Sequence, residues 1–461
     1  MSDKMQTVDK NNRSALERFL NLFAEVRSGE AGNTLLLTLS IFLILTSYYI
    51  AKVAREQLIL AGGGAELKAY LSALQAFTLI FCIGAYAKLV ARFKRRQLLD
   101  FVTLFFVVGF AVFYLLGKAD MPYVRVAYFV FIGVFNLTII AQFWSFANDI
   151  HTPEEGKRLF AIIAFGGSLG AVVGAKIPDY LAGILGKYES LLLAAALLTL
   201  SLLLLKAVDS RRRAVVSRSL GHESQTTRES EIGQSGAFRV VFGSRYLLMI
   251  ALLILLLNWV NSSGEYILDR IVTAHAQEVA AATGGTEPAM LKVEEVFIAK
   301  FKANFFFWVN TIALLVQLFL VSRVIKWFGI RTAIMILPLV ALGGYLSVAI
   351  VPILASIRLT KIGENAGDYS INNTARQMLF LPTTREEKYK AKVAIDSFFV
   401  RIGDMLSAGV VYAGGTWLAL KTQQFAIVNV VLVVLWLFLA VAIGKENRRL
   451  MAAADSANAK A

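Results

Sequence analysis

The chain is short of the side chains that build covalent cross-links and metal centres. It has one cysteine, Cys82, and three histidines, His151, His222 and His275, which lie far apart in the sequence. A single cysteine excludes an intrachain disulfide and a thiolate metal site, and the scattered histidines form no metal-binding pattern. The sequence also lacks a Gly-rich phosphate loop followed by Lys-Ser or Lys-Thr. It therefore predicts no ATPase, no other enzyme and no cofactor.

Charge is absent from several long stretches, namely Thr34–Ala51, Phe101–Gly117, Leu191–Leu205, Thr332–Ile357 and Phe425–Gly444. Apolar residues make up 57% of the sequence, and the mean hydropathy is +0.62. A soluble domain of this size does not bury that much apolar surface. Because about 20 mostly apolar residues in a helix cross a bilayer, the sequence predicts a polytopic helical membrane protein that has the lipid bilayer as a partner.

We expect twelve membrane-spanning helices when each span is allowed a few polar residues. Their predicted ranges are 32–55, 68–91, 98–117, 124–147, 158–180, 189–207, 246–268, 298–321, 332–351, 354–380, 391–415 and 423–444. An even number of spans places both termini on the same side of the membrane.

The net charge of +15 is distributed unevenly between the two sides of the predicted membrane. Loops on the side of the termini hold 30 of the 47 Lys and Arg residues, and loops on the other side hold 12. When basic residues toward the ends of spans are counted with the adjoining loops, five remain inside spans: Lys52, Lys88, Lys176, Arg376 and Arg401. Positive residues accumulate in cytoplasmic loops, so both termini are predicted to face the cytoplasm, at a bacterial inner membrane. The same asymmetry explains the basic charge without nucleic-acid binding.

The chain is predicted to consist of two similar halves. Residues 209 to 237 are polar, rich in Ser and Arg and without apolar periodicity, as expected of a flexible linker. The predicted divisions are a cytoplasmic amphipathic N-terminal segment (1–31), a six-helix bundle (32–208), a cytoplasmic linker (209–244), a second six-helix bundle (245–444) and a cytoplasmic tail (445–461). A loop over about 271–297 is predicted to be the longest extracytoplasmic insertion.

A short motif occurs once in each half, before a predicted span. Thr152 is followed by Glu155, and Thr384, 232 residues later, is followed by Glu387. Both pairs match the capping box, in which the threonine and the glutamate satisfy each other's free backbone N–H groups. We therefore predict that they begin two helices, with a latch to the basic loops as the alternative role.

Two basic loops lie at matching places in the halves. Arg92-Phe93-Lys94-Arg95-Arg96 follows the second predicted span, and Lys326-Trp327-Phe328-Gly329-Ile330-Arg331 follows the eighth. Both resemble the basic turn of the major facilitator superfamily, whose six-helix halves are parallel repeats. The resemblance implies an all-α membrane fold of twelve transmembrane helices in two parallel six-helix repeats.

Two further stretches carry a more specific resemblance. One is Phe143–Ile150, followed by Glu155–Phe160 and by Gly166, Gly170 and Gly174, whose four-residue interval is typical of close helix packing. The other is Lys390–Asp396, followed by Arg401-Ile402-Gly403; weaker similarity runs over Gly64–Lys68 and Ser263–Glu265. These segments resemble the ATP/ADP translocase family, the nucleotide transporters of plastids and intracellular bacteria. The resemblance implies exchange of one nucleotide for another without hydrolysis.

At two places the chain departs from that family's pattern. Asp404 follows Gly403 where the family has Lys, and Leu268-Asp269 stands where the family has Trp-Lys. Two basic positions are thus lost from a site meant for a polyanion. A second hypothesis therefore stands beside nucleotide exchange: a proton-coupled carrier for another small anionic or zwitterionic solute.

Charged residues inside the predicted spans or at their ends are the candidate functional residues. A charge in the hydrocarbon is costly and is retained where it is paired or faces a watery cavity. Converging cationic groups suit a phosphorylated substrate, and Arg offers bidentate contacts to phosphate. The predicted substrate-binding residues are Lys52, Arg55, Lys176, Glu265, Arg376 and Arg401. The predicted gating or coupling residues are Glu56, Asp149, Asp368, Asp396 and Asp404.

Most of these candidates also have a purely structural interpretation. Arg401 has an acidic residue three positions on and is compatible with an ion pair within one helix. Lys52, Arg55 and Lys176 lie near span ends, where a long side chain can reach the interface. Glu265 is compatible with proton coupling or with a salt bridge to Lys52 or Arg55.

A third hypothesis is a membrane scaffold or sensor that transports nothing. A scaffold gains little from carboxylates inside its spans, whereas a carrier of a charged solute uses them. We therefore favour the nucleotide-type exchanger, a monomer whose partner is a small anionic substrate.

Overall fold

The computed structural model describes residues 26–27, 30–93, 95–182, 184–218, 234–383, 391–392 and 394–458. These ranges are helical almost throughout and contain an isolated bridge between Ala182 and Leu185. Within the described residues, nine helices are long and apolar enough to cross a bilayer. The all-α membrane class is confirmed, and the tally of twelve spans stays a prediction.

The first part of the described chain forms five long helices. They are α1 (Ala31–Arg92), α2 (Arg95–Lys118), α3 (Val124–Ile150), α4 (Pro153–Leu181) and α5 (Glu189–Arg218). α1 covers the first two predicted spans and is interrupted at Gly64, whose φ of 72° lies in the left-handed region that favours glycine. The capping box of α4 is confirmed, because Thr152 and Glu155 each accept a hydrogen bond from the other's backbone N–H. The matching pair, Thr384 and Glu387, lies outside the described residues.

The second part of the described chain contains both long and short helices. They are α6 (Gln234–Gly243), α7 (Arg245–Ala282), α8 (Glu287–Phe319), α9 (Val321–Ile350), α10 (Leu354–Gly367), α11 (Asn373–Leu379), α12 (Val400–Tyr412) and α13 (Thr422–Asn458). Three π-helical turns, Asp368–Asn372, Ile395–Phe399 and Ala413–Trp417, flank α10, α11 and α12. Turns of this type are frequent at functional sites.

Two segments predicted as loops are largely helical. The 271–297 segment, expected to be an extracytoplasmic insertion, contains the end of α7 and the start of α8, joined at 283–286. Val272, Ala276 and Ala280 are buried on one stripe of α7, so its helical pattern continues beyond the apolar window. The linker predicted over 209–244 is helical at both ends, because α5 runs to Arg218 and α6 begins at Gln234.

The predicted terminal segments have different outcomes. Residues 1–31 lie almost entirely outside the described part of the chain. The tail predicted over 445–461 continues the last helix, since α13 ends at Asn458. The two six-helix bundles stay a prediction.

The chain forms two compact units, one of Met1–Arg55 with Ile83–Thr226 and the other of Glu56–Cys82 with Thr227–Ala461. In the first unit, α1 and α4 approach each other along the glycine stripe. A Cβ at Gly170 would lie 2.3 Å from the carbonyl oxygen of Phe42, and one at Gly174 would lie 2.6 Å from that of Thr46. The predicted close packing at these glycines is confirmed.

Aromatic side chains join α2 to α3 in the first unit. Phe106 and Phe110 of α2 and Phe135 of α3 are buried. The ring centroid of Phe135 lies 5.0 Å from that of Phe106 and 5.5 Å from that of Phe110. Phe101 and Phe105 of α2 are exposed by 52% and 54%. In a bilayer an exposed apolar face contacts lipid tails, so a helix can be apolar on all sides.

Candidate functional site

α7 is a central helix of the second unit and packs against α8, α10, α12 and α13. Glu265 and Asp269 lie four residues apart, on the same face of α7. Neighbouring helices bring three lysines to this face: Lys68 from α1, Lys302 from α8 and Lys361 from α10. We call the following residues the Glu265 cluster: Glu56, Lys68, Glu265, Asp269, Lys302, Lys361 and Glu364.

Asp269 bridges two of the lysines. Its Oδ2 lies 2.7 Å from Nζ of Lys68, and its Oδ1 makes a short contact with Nζ of Lys302. Glu56 accepts a short hydrogen bond from Lys68 and lies 3.6 Å from Lys302. Glu56, Asp269 and Lys302 are at most 1% exposed. Removing a charge from water is costly unless a partner compensates it, so these four side chains stabilise one another.

Lys361 is held by a second set of groups. Its Nζ donates to Oε2 of Glu364 at 3.0 Å and to Oδ1 of Asn261 at 2.6 Å. The Tyr345 hydroxyl donates to the same Glu364 oxygen at 2.6 Å. Gly264 leaves room for that hydroxyl, because a Cβ there would lie 1.8 Å from the tyrosine oxygen. Packing around the cluster therefore requires glycine at this position of α7.

Glu265 joins the two sets. Its carboxylate oxygens lie 3.7 Å from Nζ of Lys361, 3.9 Å from that of Lys68 and 4.0 Å from that of Lys302. The Asn365 amide donates to it at 3.0 Å. The Glu265 side chain is 23% exposed, whereas those of the three lysines are exposed by 10% or less. Three ammonium groups thus surround one accessible carboxylate.

Two further ion pairs of the second unit contain predicted site residues. Nη1 of Arg401 lies 3.1 Å from Oδ2 of Asp404, and the Ser262 hydroxyl donates to Asp404 at 2.6 Å. Nη2 of Arg376 lies 3.0 Å from Oδ1 of Asp396. Each arginine therefore contacts a carboxylate, as the structural interpretation of Arg401 expects.

Lys52 and Arg55 belong to the first unit, where both lie over aromatic rings. Nζ of Lys52 is 5.3 Å from the ring centroid of Tyr49, and the guanidinium carbon of Arg55 is 4.6 Å from that of Phe129. A cation over a ring face is attracted by the ring's electron density. These contacts hold both cations without fully desolvating them.

The remaining predicted residues lie in polar contacts near helix ends or turns. Nζ of Lys176 lies 2.5 Å from Oδ2 of Asp179, one turn on. The backbone carbonyl of Asp149 accepts a hydrogen bond from Arg212 at 2.5 Å. Asp368, in its π-helical turn, accepts from the asparagine amide four residues on at 2.7 Å.

Lys68, Lys302 and Lys361 were not predicted as site residues. The predicted spans contain all three, but the charge count places them with the extracytoplasmic loops. The structure corrects that count, because all three lie in helices and are exposed by 8% or less. The signal was the apolar helical pattern that continues through 269–280. Asp269 was a second signal in the sequence, because an acid stands where the resemblance predicts a basic residue. In the structure this acid contacts two of the lysines, Lys68 and Lys302.

The family model of the Major Facilitator Superfamily matches residues 34–362, more than half of the sequence. The chain therefore belongs to the Major Facilitator Superfamily and is a multi-pass membrane protein.

Two relatives show where the similarity is narrower. ADP,ATP carrier protein 1 of Chlamydia pneumoniae is 21% identical over 355 residues, covering 67% of this chain and 64% of the carrier. ADP,ATP carrier protein 5 of Rickettsia felis is 22% identical over 507 residues, covering 94% of this chain and 96% of the carrier. The chain thus spans less than two thirds of the Chlamydia carrier. The predicted resemblance to the ATP/ADP translocase family is confirmed.

Solved structures agree on the fold. The nucleoside transporter NupG is 10% identical with a TM-score of 0.62, covering 90% of this chain and 98% of that chain. An auto-inhibited POT family peptide transporter is 13% identical with a TM-score of 0.61, covering 90% and 97%. At such identities the similarity concerns the fold, and the predicted facilitator-like architecture is confirmed.

Proposed function

We propose that the chain is a secondary carrier that moves a phosphorylated anion, with a nucleotide as the first candidate, by alternating access and without hydrolysis. The observation that carries the proposal is the convergence of Lys68, Lys302 and Lys361 within 4.0 Å of the accessible Glu265 carboxylate. Ammonium groups in this arrangement supply the positive charge that a phosphate requires. The similarity to ADP,ATP carriers supports the nucleotide as substrate.

In this proposal the residues predicted from the sequence add further contacts. Substrate binding is assigned to Lys52, Arg55, Lys176, Glu265, Arg376 and Arg401, and gating or coupling to Glu56, Asp149, Asp368, Asp396 and Asp404. An unpaired buried charge is costly, so acidic partners hold the cations when substrate is absent. The carrier is proposed to act as a monomer in a bacterial inner membrane, with both termini in the cytoplasm.

Counterflow in proteoliposomes tests the nucleotide. Vesicles loaded with ADP should accumulate labelled external ATP. Lys302→Ala, Arg401→Ala and Lys52→Ala should each reduce the rate by about tenfold or more, because each removes a charge-assisted contact. The control is Lys118→Ala, which removes an exposed lysine paired with Glu189 and should retain the wild-type rate.

A proton-coupled carrier of another small anionic or zwitterionic solute is the second candidate. Three carboxylates are the candidates for the coupled proton: Glu265, which accepts a hydrogen bond from Asn365, Asp368, which accepts from an amide, and Asp404, which accepts from Ser262. Acidic residues inside membrane spans are typical of proton relays in transporters. Uptake driven by a proton gradient, with ATP inert, would support this candidate over the first.

A further inference from the structure

The carboxylates of the Glu265 cluster differ in how closely the lysines hold them. Asp269 lies 2.7 Å from Lys68, and Glu364 lies 3.0 Å from Lys361. Glu265 comes no closer than 3.7 Å to any of the three ammonium groups. It is also the most exposed member, at 23%. Each lysine thus has a nearer anionic partner, and Glu265 is the carboxylate that can leave at the least cost in direct ion pairing.

We propose that the Glu265 carboxylate occupies the place of the substrate's anionic group in the empty carrier, and that Glu265 takes up one proton when that group enters. This inference rests on the proposed transport of an anionic solute and adds to it the identity of the coupling residue. It also fixes the relative direction of the two movements, because the proton and the substrate cross the membrane in the same direction.

The proposal conserves charge at the buried site. One negative charge from the substrate and one proton on Glu265 leave the total charge around the lysines unchanged. Entry of the anion without the proton would add an uncompensated charge to a poorly solvated region, which is strongly unfavourable. On the other side of the membrane the substrate leaves, Glu265 releases its proton, and the carboxylate returns to the ammonium groups.

The charged and titratable groups around Glu265 come from several helices. They are Glu56 and Lys68 of α1, Asp269 of α7, Lys302 of α8, Tyr345 of α9, and Lys361 and Glu364 of α10. The three cations favour the ionised carboxylate while the site is empty. An incoming anion disfavours the ionised form of Glu265, because two negative charges close together repel each other. The groups that face Glu265 therefore link its protonation to occupancy.

This arrangement also determines whether the empty carrier can change state. With Glu265 ionised, the lysines keep a full set of anionic partners after the substrate has left. With glutamine at this position no proton accompanies the substrate, so a proton gradient cannot drive net uptake, whereas exchange of substrate for substrate needs no proton. We therefore expect Glu265→Gln to exchange substrate for substrate but to fail in net uptake.

The experiment compares both transport modes in proteoliposomes that contain the full-length protein. The probes are labelled ATP and labelled inorganic phosphate, each measured in counterflow and in net uptake under an inward proton gradient. The wild type should show gradient-stimulated net uptake. Glu265→Gln should lower gradient-driven net uptake by at least about tenfold more than it lowers counterflow. The matched control is Glu294→Gln, which alters a buried carboxyl of α8 outside the cluster and should keep both modes.

A second variant covers the case in which Glu265→Gln does not elute as a folded protein. Glu265→Asp keeps the titratable group and should keep the response to the gradient. The inference is overturned if Glu265→Gln responds to the gradient as the wild type does, or if it loses counterflow and net uptake equally. A wild type that transports neither probe contradicts the proposed function itself, which separates the two failures.

Discussion

Asp269 compensates two buried lysines at once, so a change at this residue affects more charge than a change at a surface ion pair. Both of its oxygens are engaged, one with Lys68 and one with Lys302. Such a group contributes little net stability relative to an apolar core, but its removal leaves its partners uncompensated. A neutral residue at position 269 therefore destabilises the protein because it leaves the charges of Lys68 and Lys302 less compensated.

We expect Asp269→Asn to lower the free energy of unfolding by about 3–5 kcal/mol, the usual cost of breaking a buried ion pair. The measurement is the unfolding temperature of the purified protein in detergent. Asp100→Asn is the control, because Asp100 pairs with Lys206 at 3.3 Å with side chains 35% and 40% exposed. Its loss should cost about 1 kcal/mol or less. Equal losses in the two variants would contradict the stabilising role of the cluster.

Glu30, just before α1, makes a bidentate contact with Arg158 at 2.7 and 3.0 Å. Burial alone would raise the pKa of Glu30, but the Arg158 guanidinium and the Arg27 backbone N–H outweigh it and hold the pKa below 4.5. A lowered pKa means that this contact stabilises the protein above the unfolded pKa and that the stabilisation is lost as the pH falls through the folded value.

We therefore expect Glu30→Gln to unfold at a lower temperature than the wild type near neutral pH. The difference should shrink toward zero as the pH falls through the lowered pKa of Glu30 in the folded protein, where the wild-type carboxyl is protonated as well. Unfolding temperatures of both proteins across this range measure it. A difference that does not change with pH would rule out the ionised pair as its source.

At the scale of helices, α1 and α4 of the first unit approach each other closely. Gly170 places the backbones so near that its missing Cβ would lie 2.3 Å from a backbone oxygen of Phe42. A backbone atom cannot rotate away as a side chain can, so any side chain at this position must push the two helices apart. Small residues at such crossings are the usual route to close packing in membranes.

Gly170→Ala should therefore destabilise the protein by about 1–3 kcal/mol, the usual cost of overpacking a tight contact. The control is Gly343→Ala in α9, because no other atom lies within 4 Å of the Cβ position there. That change should be neutral or stabilise by up to about 1 kcal/mol, since alanine is the better helix former. Thermal unfolding in detergent measures both, and a stable Gly170→Ala protein would contradict the close approach.

The helices themselves were largely predictable from the sequence. Apolar windows locate the body of each long helix, because lipid selects for apolar surface along the whole span. Helix ends were less predictable, because an apolar window ends where polar residues begin even when the helix continues. The predicted span 246–268 therefore ends before α7, which runs to Ala282. The capping box at Thr152 fixed one boundary correctly because that signal is local.

At the scale of the whole molecule, the candidate site depends on residues far apart in the sequence. Lys68 meets Asp269 across 201 positions, and Asn365 meets Glu265 across 100. Such pairs cannot be identified from one sequence, because hydropathy and spacing describe neighbours along the chain only. Individual charges such as Glu265 were predicted, whereas the three lysines that surround it, Lys68, Lys302 and Lys361, were not predicted as site residues.

α1 supplies residues to both compact units, and this matters for any attempt to divide the protein. Division of the chain between Arg218 and Gln234 gives two fragments. Glu56 and Lys68 then belong to the first fragment, whereas their partners Lys302 and Asp269 belong to the second. We expect the second fragment, produced alone, to be degraded, and co-production of both fragments to restore a stable pair on affinity purification. A longer second fragment with residues 56–82 fused ahead of it should survive alone, and its degradation would contradict the prediction. Fragment complementation in this protein is thus governed by a stretch of 27 residues near the start of the chain rather than by the midpoint of the sequence.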